Sequence, residues 1–388
     1  YATLPKNLSN KDLALKLSLT VVEVEGWQEE GKNLDKIVVG KILKIEKHPN
    51  ADKLKICLVD IGTEKLSIVC GGANVAEGML VAVAKVGARV RWHGEGELQE
   101  LAPAKIRGVE SRGMICAAEE LGLSEKLNPL HGILDITGTQ AKPGRAFAEA
   151  LNLNDTIFEV DNKSLTHRPD LWGHYGMARE LSAIYGGKLK AVELQKIKSP
   201  KKGTAKKLKV KILDSALCPR YMGLVIDNIK IAPSPISLQK RLAALNIRPI
   251  NNIVDATNYI LLELGQPLHA FDYSLIPNGE ITVRRSAKGE KIITIDEIPR
   301  NLDSEMLVIA SSKGPVAIAG IMGGRESGIS DATKTIVIES ANFEPYSIRK
   351  TSTRLGLRTE SSIRFEKSLD PNLAETAILR AANLILEM

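Results

Sequence analysis

The pattern of apolar and polar positions changes character several times along the chain, and each change predicts a different kind of element. In residues 1–36, Ser9 is a candidate N-cap with Asp12 three positions on, ahead of Leu13, Leu15, Leu17 and Leu19. That is a helix start, and 21–26 then reads as a strand. From 37 to 123 the apolar runs become short and β-rich: 37–45, 54–61, 66–69 and 80–84. Turn clusters separate them at 48–52, 71–74 and 86–87. Short strands at this spacing predict a small barrel, followed by a helix near 117–121.

Residues 157–160 read as one more strand, and His167-Arg-Pro-Asp170 as a turn with Asp170 capping the next helix. That helix points Leu171, Tyr175, Ala178, Leu181 and Ile184 towards a core and stops at Gly186-Gly187. Beyond a lysine-rich stretch, 238–245 and 255–264 carry helical patterns, the second closed by Gly265 and Pro267. Strands are predicted at 281–284, 292–295, 306–310, 316–319 and 335–339, an α+β arrangement. A last helical pattern fills 373–388.

Composition narrows the class. The chain has 388 residues, with 44% hydrophobic, 26% charged and 4% aromatic residues. That length predicts two to four domains and cores that need no disulfide or metal staple. No stretch reaches the roughly 18 apolar residues of a membrane helix, and Tyr1-Ala-Thr-Leu-Pro-Lys is not a signal sequence. The chain opens on Tyr1 rather than Met, so a trimmed chain is expected. Cys57, Cys70, Cys116 and Cys218 form no CxxC pair and read as free buried thiols of a reducing compartment. His167 and His174 have no ligand-spaced partners, so no metal site is read. The net charge of +7 invites a nucleic-acid reading, but ten lysines and one acid between 188 and 211 account for more than all of it. The rest of the chain is near neutral, so charge alone identifies no partner.

Three motifs are more specific. His48-Pro-Asn-Ala-Asp-Lys-Leu, Cys70-Gly-Gly-Ala-Asn and Lys105-Ile-Arg-Gly-Val-Glu-Ser-Arg-Gly-Met resemble the tRNA-binding barrel family. The large segment adds Val254-Asp-Ala-Thr-Asn-Tyr, continuing to His269-Ala-Phe-Asp272, then Gly320-Ile-Met-Gly-Gly324, then Thr353 to Glu366. In that order behind such a barrel, these resemble the bacterial phenylalanyl-tRNA synthetase β-subunit family. The resemblance implies a multidomain α+β fold. A small α/β domain (1–38 plus 150–190) is interrupted by an OB-fold tRNA-binding β-barrel (39–149). A basic linker (191–211), a large α+β editing domain (212–371) and the start of a truncated further domain (372–388) follow. It also implies an α subunit as partner in an α₂β₂ heterotetramer, tRNA(Phe) as ligand, a cytoplasmic location and no membrane. ATP and Mg²⁺ serve the complete enzyme at a site on the α subunit, and no cofactor is expected in this chain.

The implied chemistry is hydrolytic editing of Tyr-tRNA(Phe). An apolar pocket rejects an added hydroxyl only modestly, so a second site must demand that hydroxyl. Glu339, at the end of the apolar run 335–338, suits the demand and by resemblance receives the tyrosyl hydroxyl. Its ordinary alternative is a strand-end glutamate reaching solvent. His269, read as lying in a loop that leaves a helix, is by resemblance near the scissile ester, where it could orient water or ribose. No Ser-His-Asp signature is present, and no covalent intermediate is expected. Thr257, Asn258, Gly323, Thr359 and Ser361 match pocket positions, with Ser361 departing from a frequent alanine. Arg349, Lys350, Arg354, Arg358 and Arg364 surround the last motif and could attract the acceptor end. In the barrel, Lys44, Lys53, Lys55, Lys85, Arg107 and Arg112 are the candidate phosphate contacts. The competing reading is a tRNA-binding scaffold without hydrolytic activity of its own.

Overall fold

The computed structural model of the chain describes residues 1–123, 125–127, 132–197 and 205–388. The chain forms two compact units, each discontinuous in sequence. One comprises 24–160 and 234–249; the other comprises 1–23, 161–233 and 250–388.

In the first unit, β1 (Ile37–Lys47), β2 (Lys55–Asp60), β3 (Lys65–Cys70), β4 (Leu80–Ala84) and β5 (Met114–Ile115) make a five-stranded sheet ordered β5-β4-β1-β2-β3. Every pairing is antiparallel, and the sheet curls into a nearly closed barrel. Closure needs β1 to bend. It does so at a bulge between Ile42 and Lys44 and at Gly40, where a Cβ would lie 2.5 Å from Val83 and 2.7 Å from Val59. Ile42, Cys57, Val59, Ile68, Cys70, Val81 and Val83 fill the interior. The helix expected at 117–121 is a short 3₁₀ turn, Glu119–Leu121.

The helix Ile236–Ala244 groups with this unit, not with the large one as the 212–371 boundaries would have it. Ala243 joins a core with Val39, Ala82 and Phe147, and Lys240 donates to the carbonyl oxygen of Leu151 at 2.9 Å. Contacts this far apart in sequence leave no mark on local pattern. The two pieces of the expected small domain divide in the same way: 24–38 and 150–160 fall in this unit, 1–23 and 161–190 in the other.

The second unit opens with α1 (Asn10–Thr20), capped by Ser9 as the sequence predicts. Next comes α2 (His174–Tyr185), which ends at left-handed Gly186. Asp170 does not cap α2, because a 3₁₀ turn over Pro169–Trp172 intervenes. Its carboxylate pairs with Arg168 at 2.9 Å and Arg179 at 2.8 Å. The predicted linker breaks at 199–200 and 203–204 lie outside the described residues. The end of that stretch is not linker: β6 (Lys209–Ile212) pairs in parallel with β9 (Glu280–Arg285).

Two larger sheets make up most of the rest of this unit. β7 (Arg220–Asp227), α3 (Asn252–Leu264), β8 (Leu268–Asp272), β9, β10 (Leu307–Ser311), β11 (Gly314–Ile318), β12 (Met322–Gly323) and β13 (Thr335–Asn342) follow in chain order. One sheet runs β6-β9-β10-β11-β12; the other is β7-β13-β8, with β13 central and all eight of its residues buried. A strand buried on both faces reads as a continuous apolar run, which is why Thr335-Ile-Val-Ile stands out in the sequence. One face of β7-β13-β8 gives Tyr221, Phe271, Val337 and Ala341 to the core that holds Val283 and Val308. The opposite face gives Ile226, Ala270, Ile336 and Ile338 to a core closed by Ile253 and Ala256 of α3. Three more helices complete the unit: α4 (Pro345–Leu355), α5 (Glu360–Phe365) and α6 (Leu373–Glu387). α6 adds Ile378, Ala382 and Ile385 to that second core. The segment expected to open a further domain is thus part of this one, its alanine-lined stripe covering the sheet.

Candidate functional site

The site is fixed by strand register. On β13, Glu339 pairs with Gly223 of β7 on one side and with His269 of β8 on the other. Directly paired residues point to the same face, so His269 and Glu339 are cross-strand neighbours on the face that looks into the larger core. His269 is on a strand, not in a loop, because extended backbone begins at Leu268, immediately after Gly265-Gln-Pro ends α3.

Glu339 is 6% exposed, and its Oε2 accepts a 3.0 Å hydrogen bond from the Tyr221 hydroxyl. Burial pushes its carboxyl up to about 8, against a smaller downward pull from Tyr221. The group is therefore mostly protonated at neutral pH. Burial also presses the His269 imidazole down to about 4, so it is neutral there. Its ring packs edge-on to Phe271 with centroids 4.5 Å apart. Its Nε2 is buried with no hydrogen-bond partner among the described residues, although the residue keeps some accessible surface. Gly323 supplies the third wall: a Cβ there would lie 2.5 Å from Cε1 and 2.8 Å from Nε2 of His269. Cys218 lies close enough to Glu339 for the carboxylate to add to the burial that raises its thiol to about 12. The arrangement offers one uncharged acid, one uncharged imidazole and a backbone wall without side chain.

The other expected pocket residues are not joined to this pair by any hydrogen bond among the described residues. Thr257 spends its hydroxyl on the Val254 carbonyl at 2.7 Å, and it shares α3 with Asn258. α3 packs on the face opposite Glu339. Thr359 caps α5 in a capping box with Ser362 and donates to the Ile321 carbonyl at 2.9 Å, tying α5 to the glycine turn. Ser361, half-buried, is the second residue of α5. Gly320 has φ +67°, and a Cβ would strike Phe343 and Ile348 at 2.9 Å, so its role is packing. The basic residues divide as well. Lys350 pairs with Glu305, and Arg354 pairs with both Asp303 and Glu305. Arg364 is buried against Glu360 and the Trp172 carbonyl. Arg349 and Arg358 line a separate cavity of about 350 Å³ with Ser352, Thr353 and Glu366. Tyr221 is the residue that sequence reasoning missed, since only strand pairing brings it to Glu339.

In the barrel, the motif residues organise backbone. His48 Nδ1 accepts from the Asn50 N–H at 3.1 Å, which leaves Nε2 to donate to the Ile106 carbonyl at 3.1 Å. Asn50 Nδ2 donates to the Arg107 carbonyl at 3.0 Å. The loop that carries Lys53 is thereby stapled to the hairpin that carries Arg107, and both cations are exposed. Lys44 and Arg112 pair with Glu46 and Glu110, Lys55 donates to the Ala73 carbonyl, and Lys85 is half-buried. Lys53 and Arg107 are therefore the two exposed candidates on the stapled segments that have no ion pair among the described residues. Replacing His48 by alanine removes both of its bonds. The expected cost is about 1–3 kcal/mol, read as a lowered urea midpoint for unfolding of the barrel unit; an unchanged midpoint would reject the staple.

The family model of the tRNA binding domain matches 37–136, and that of the B3/4 domain matches 217–388. The phenylalanine–tRNA ligase β subunit of a Bacillus cereus strain is 44% identical over 98% of this chain and 46% of its own length. That of Clostridium acetobutylicum is 41% identical over 98% of this chain and 47% of its own. An N-terminal fragment of the phenylalanyl-tRNA synthetase β-subunit from Pyrococcus horikoshii matches 53% of this chain and 61% of its own at 17% identity, with a TM-score of 0.29. The chain spans about half the length of the curated relatives it matches. Two domain models in this order, and likeness to the same subunit along almost every residue, place the chain in the phenylalanine–tRNA ligase β-subunit family.

Proposed function

We propose that the chain contributes tRNA binding and hydrolytic editing of Tyr-tRNA(Phe) to a phenylalanine–tRNA ligase. The observation that carries this reading is the buried, uncharged Glu339 beside His269, walled by Gly323. A tyrosyl group differs from a phenylalanyl group by one hydroxyl, and a buried carboxyl pairs with a hydroxyl at little cost. Phenylalanine leaves that polar group unmatched, a penalty of about 1–3 kcal/mol. His269, neutral and weakly basic, orients water or the terminal ribose rather than delivering a proton. Water adds to the ester carbonyl, the bond to the ribose oxygen breaks, and that oxygen takes up a proton. No covalent intermediate is needed. On this reading the barrel is an OB-fold insert that holds tRNA by shape and phosphate. The native partner is the α subunit of a cytoplasmic α₂β₂ enzyme, where ATP and Mg²⁺ serve amino-acid activation. Among the described residues no helix is long and apolar enough to cross a membrane.

The test is deacylation of Tyr-tRNA(Phe) against Phe-tRNA(Phe), with the chain, with Glu339→Ala and with the complete ligase. Faster loss of the tyrosyl ester is expected, with the preference reduced about tenfold or more by the substitution. Absence of tyrosyl preference in both chain and complete ligase would sink the reading. One observation favours a second reading, a tRNA-binding scaffold without autonomous hydrolysis. Glu339 is only 6% exposed, so an incoming side chain needs the site to open. Preference in the complete ligase but not in the chain would select it.

A further inference from the structure

Tyr221 is 9% exposed and belongs to the core beneath the site. Its hydroxyl is the one hydrogen-bond partner of Glu339 among the described side chains. Register explains the reach. The residue directly across from Glu339 on β7 is Gly223, which has no side chain, and Tyr221 sits two residues before it on the same face. The bond engages Oε2 and leaves Oε1 without a hydrogen bond among the described residues. The phenol that holds Glu339 is also the group that distinguishes the proposed substrate.

Resting on the editing reading above, we infer that Tyr221 is a positioning residue that sets the site's specificity: it locks one oxygen of Glu339 so that the other is presented to a phenolic hydroxyl. A buried carboxyl with both oxygens free would turn, and its proton would reach other groups. Locked, it offers one oxygen in one direction, and a hydroxyl of the right reach completes it. The titratable groups that meet Glu339 are Tyr221 and Cys218 from the β7 side and His269 from β8, with no charged side chain hydrogen-bonded to it among the described residues. Because the Tyr221 hydroxyl donates to Glu339, it favours the ionised carboxylate and opposes burial. Removing it lets burial act alone, so ionisation of Glu339 moves to higher pH.

The experiment is Tyr221→Phe in the full chain and in the complete ligase, which keeps the ring and deletes the hydroxyl. The preference for Tyr-tRNA(Phe) over Phe-tRNA(Phe) is expected to fall about tenfold, the worth of one hydrogen bond near its upper range. The pH profile of tyrosyl hydrolysis is expected to shift to the alkaline side, and both effects are expected to vanish in a Glu339→Ala background. Infrared titration of the Glu339 carboxyl follows the same alkaline shift without any substrate, and thermal melting checks that the variant folds. If wild type prefers the tyrosyl ester while Tyr221→Phe keeps its preference, its pH profile and its carboxyl titration, the positioning role is overturned and the editing reading stands. If wild type shows no preference in either form, both fall together.

Discussion

Gly323→Val is expected to cut hydrolysis of Tyr-tRNA(Phe) by about a hundredfold and to destabilise the large unit by about 1–3 kcal/mol. Both effects come from one collision. Even the first carbon added at Gly323 would lie 2.5 Å from Cε1 of His269. The imidazole cannot retreat freely, since Phe271 stands edge-on to it at 4.5 Å and the strand beneath it is paired to β13. Nor can Gly323 withdraw, because it pairs with Ala317 of β11 and its carbonyl accepts from Ile295 at 3.1 Å. Valine adds two further methyls to a position that has no room for one. The ring must leave its rotamer, and a misplacement of about 1 Å is enough to lose this much rate. Deacylation kinetics and urea unfolding, measured on the same preparation, check the two halves. Rates and unfolding midpoint both equal to wild type would show that His269 is not held against this wall. Gly324→Ala is a weaker comparison, since its obstacle is the Val316 carbonyl at 2.7 Å, away from the imidazole.

Residues 335–338 were legible as a strand from sequence because their β-branched run needs burial on both sides, and β13 extends it to Asn342. The end of α3 was legible too: Gly265 adopts φ +79°, which favours glycine. The start of α3 was not, because the pattern begins at Asp255 whereas the helix begins at Asn252, capped by Asn251. Asp255 is fully buried and accepts from the Ile250 N–H, a tertiary role that no periodicity encodes. The site followed the same division. Glu339, His269 and Gly323 could be named from motifs, yet nothing local says that the first two are cross-strand partners or that the third touches the ring. Tyr221 carried no signal at all, because pairing between residues 118 apart is a property of the sheet. Thr359 was named as a pocket position by resemblance alone, and the short helix it caps was not predicted from the pattern of the sequence. The basic residues could not be sorted from sequence, because a sequence does not show that Lys44, Arg112, Lys350, Arg354 and Arg364 have acids beside them while Lys53 and Arg107 stand exposed.

Glu339→Gln is expected to remove a decline in the stability of the large unit that wild type suffers as pH rises from about 5 to about 8. The sign follows from the direction of the shift. The Glu339 carboxyl titrates near its ordinary 4.5 when unfolded and at about 8 when folded. Below 4.5 both states are protonated and the folded state keeps its full advantage. Between those values the unfolded chain ionises and gains free energy that the folded chain cannot, so stability falls by up to about 1.4 kcal/mol per pH unit. His269 works in the opposite direction: its folded value of about 4 lies below the ordinary 6.5, so its contribution is complete above 6.5 and is lost as pH falls towards 4. The amide variant keeps His269 and therefore keeps the acid-side loss, while its alkaline side flattens. Urea unfolding at pH 5, 6, 7 and 8 separates the two, and parallel curves for wild type and variant would show that Glu339 is ionised in the folded state at neutral pH. The same measurement bears on specificity. A carboxyl that stays protonated to about 8 meets a phenolic hydroxyl without bringing a bare charge into the core, where an unpaired carboxylate costs far more than a neutral acid. It can therefore demand a hydroxyl and still remain folded when none is present.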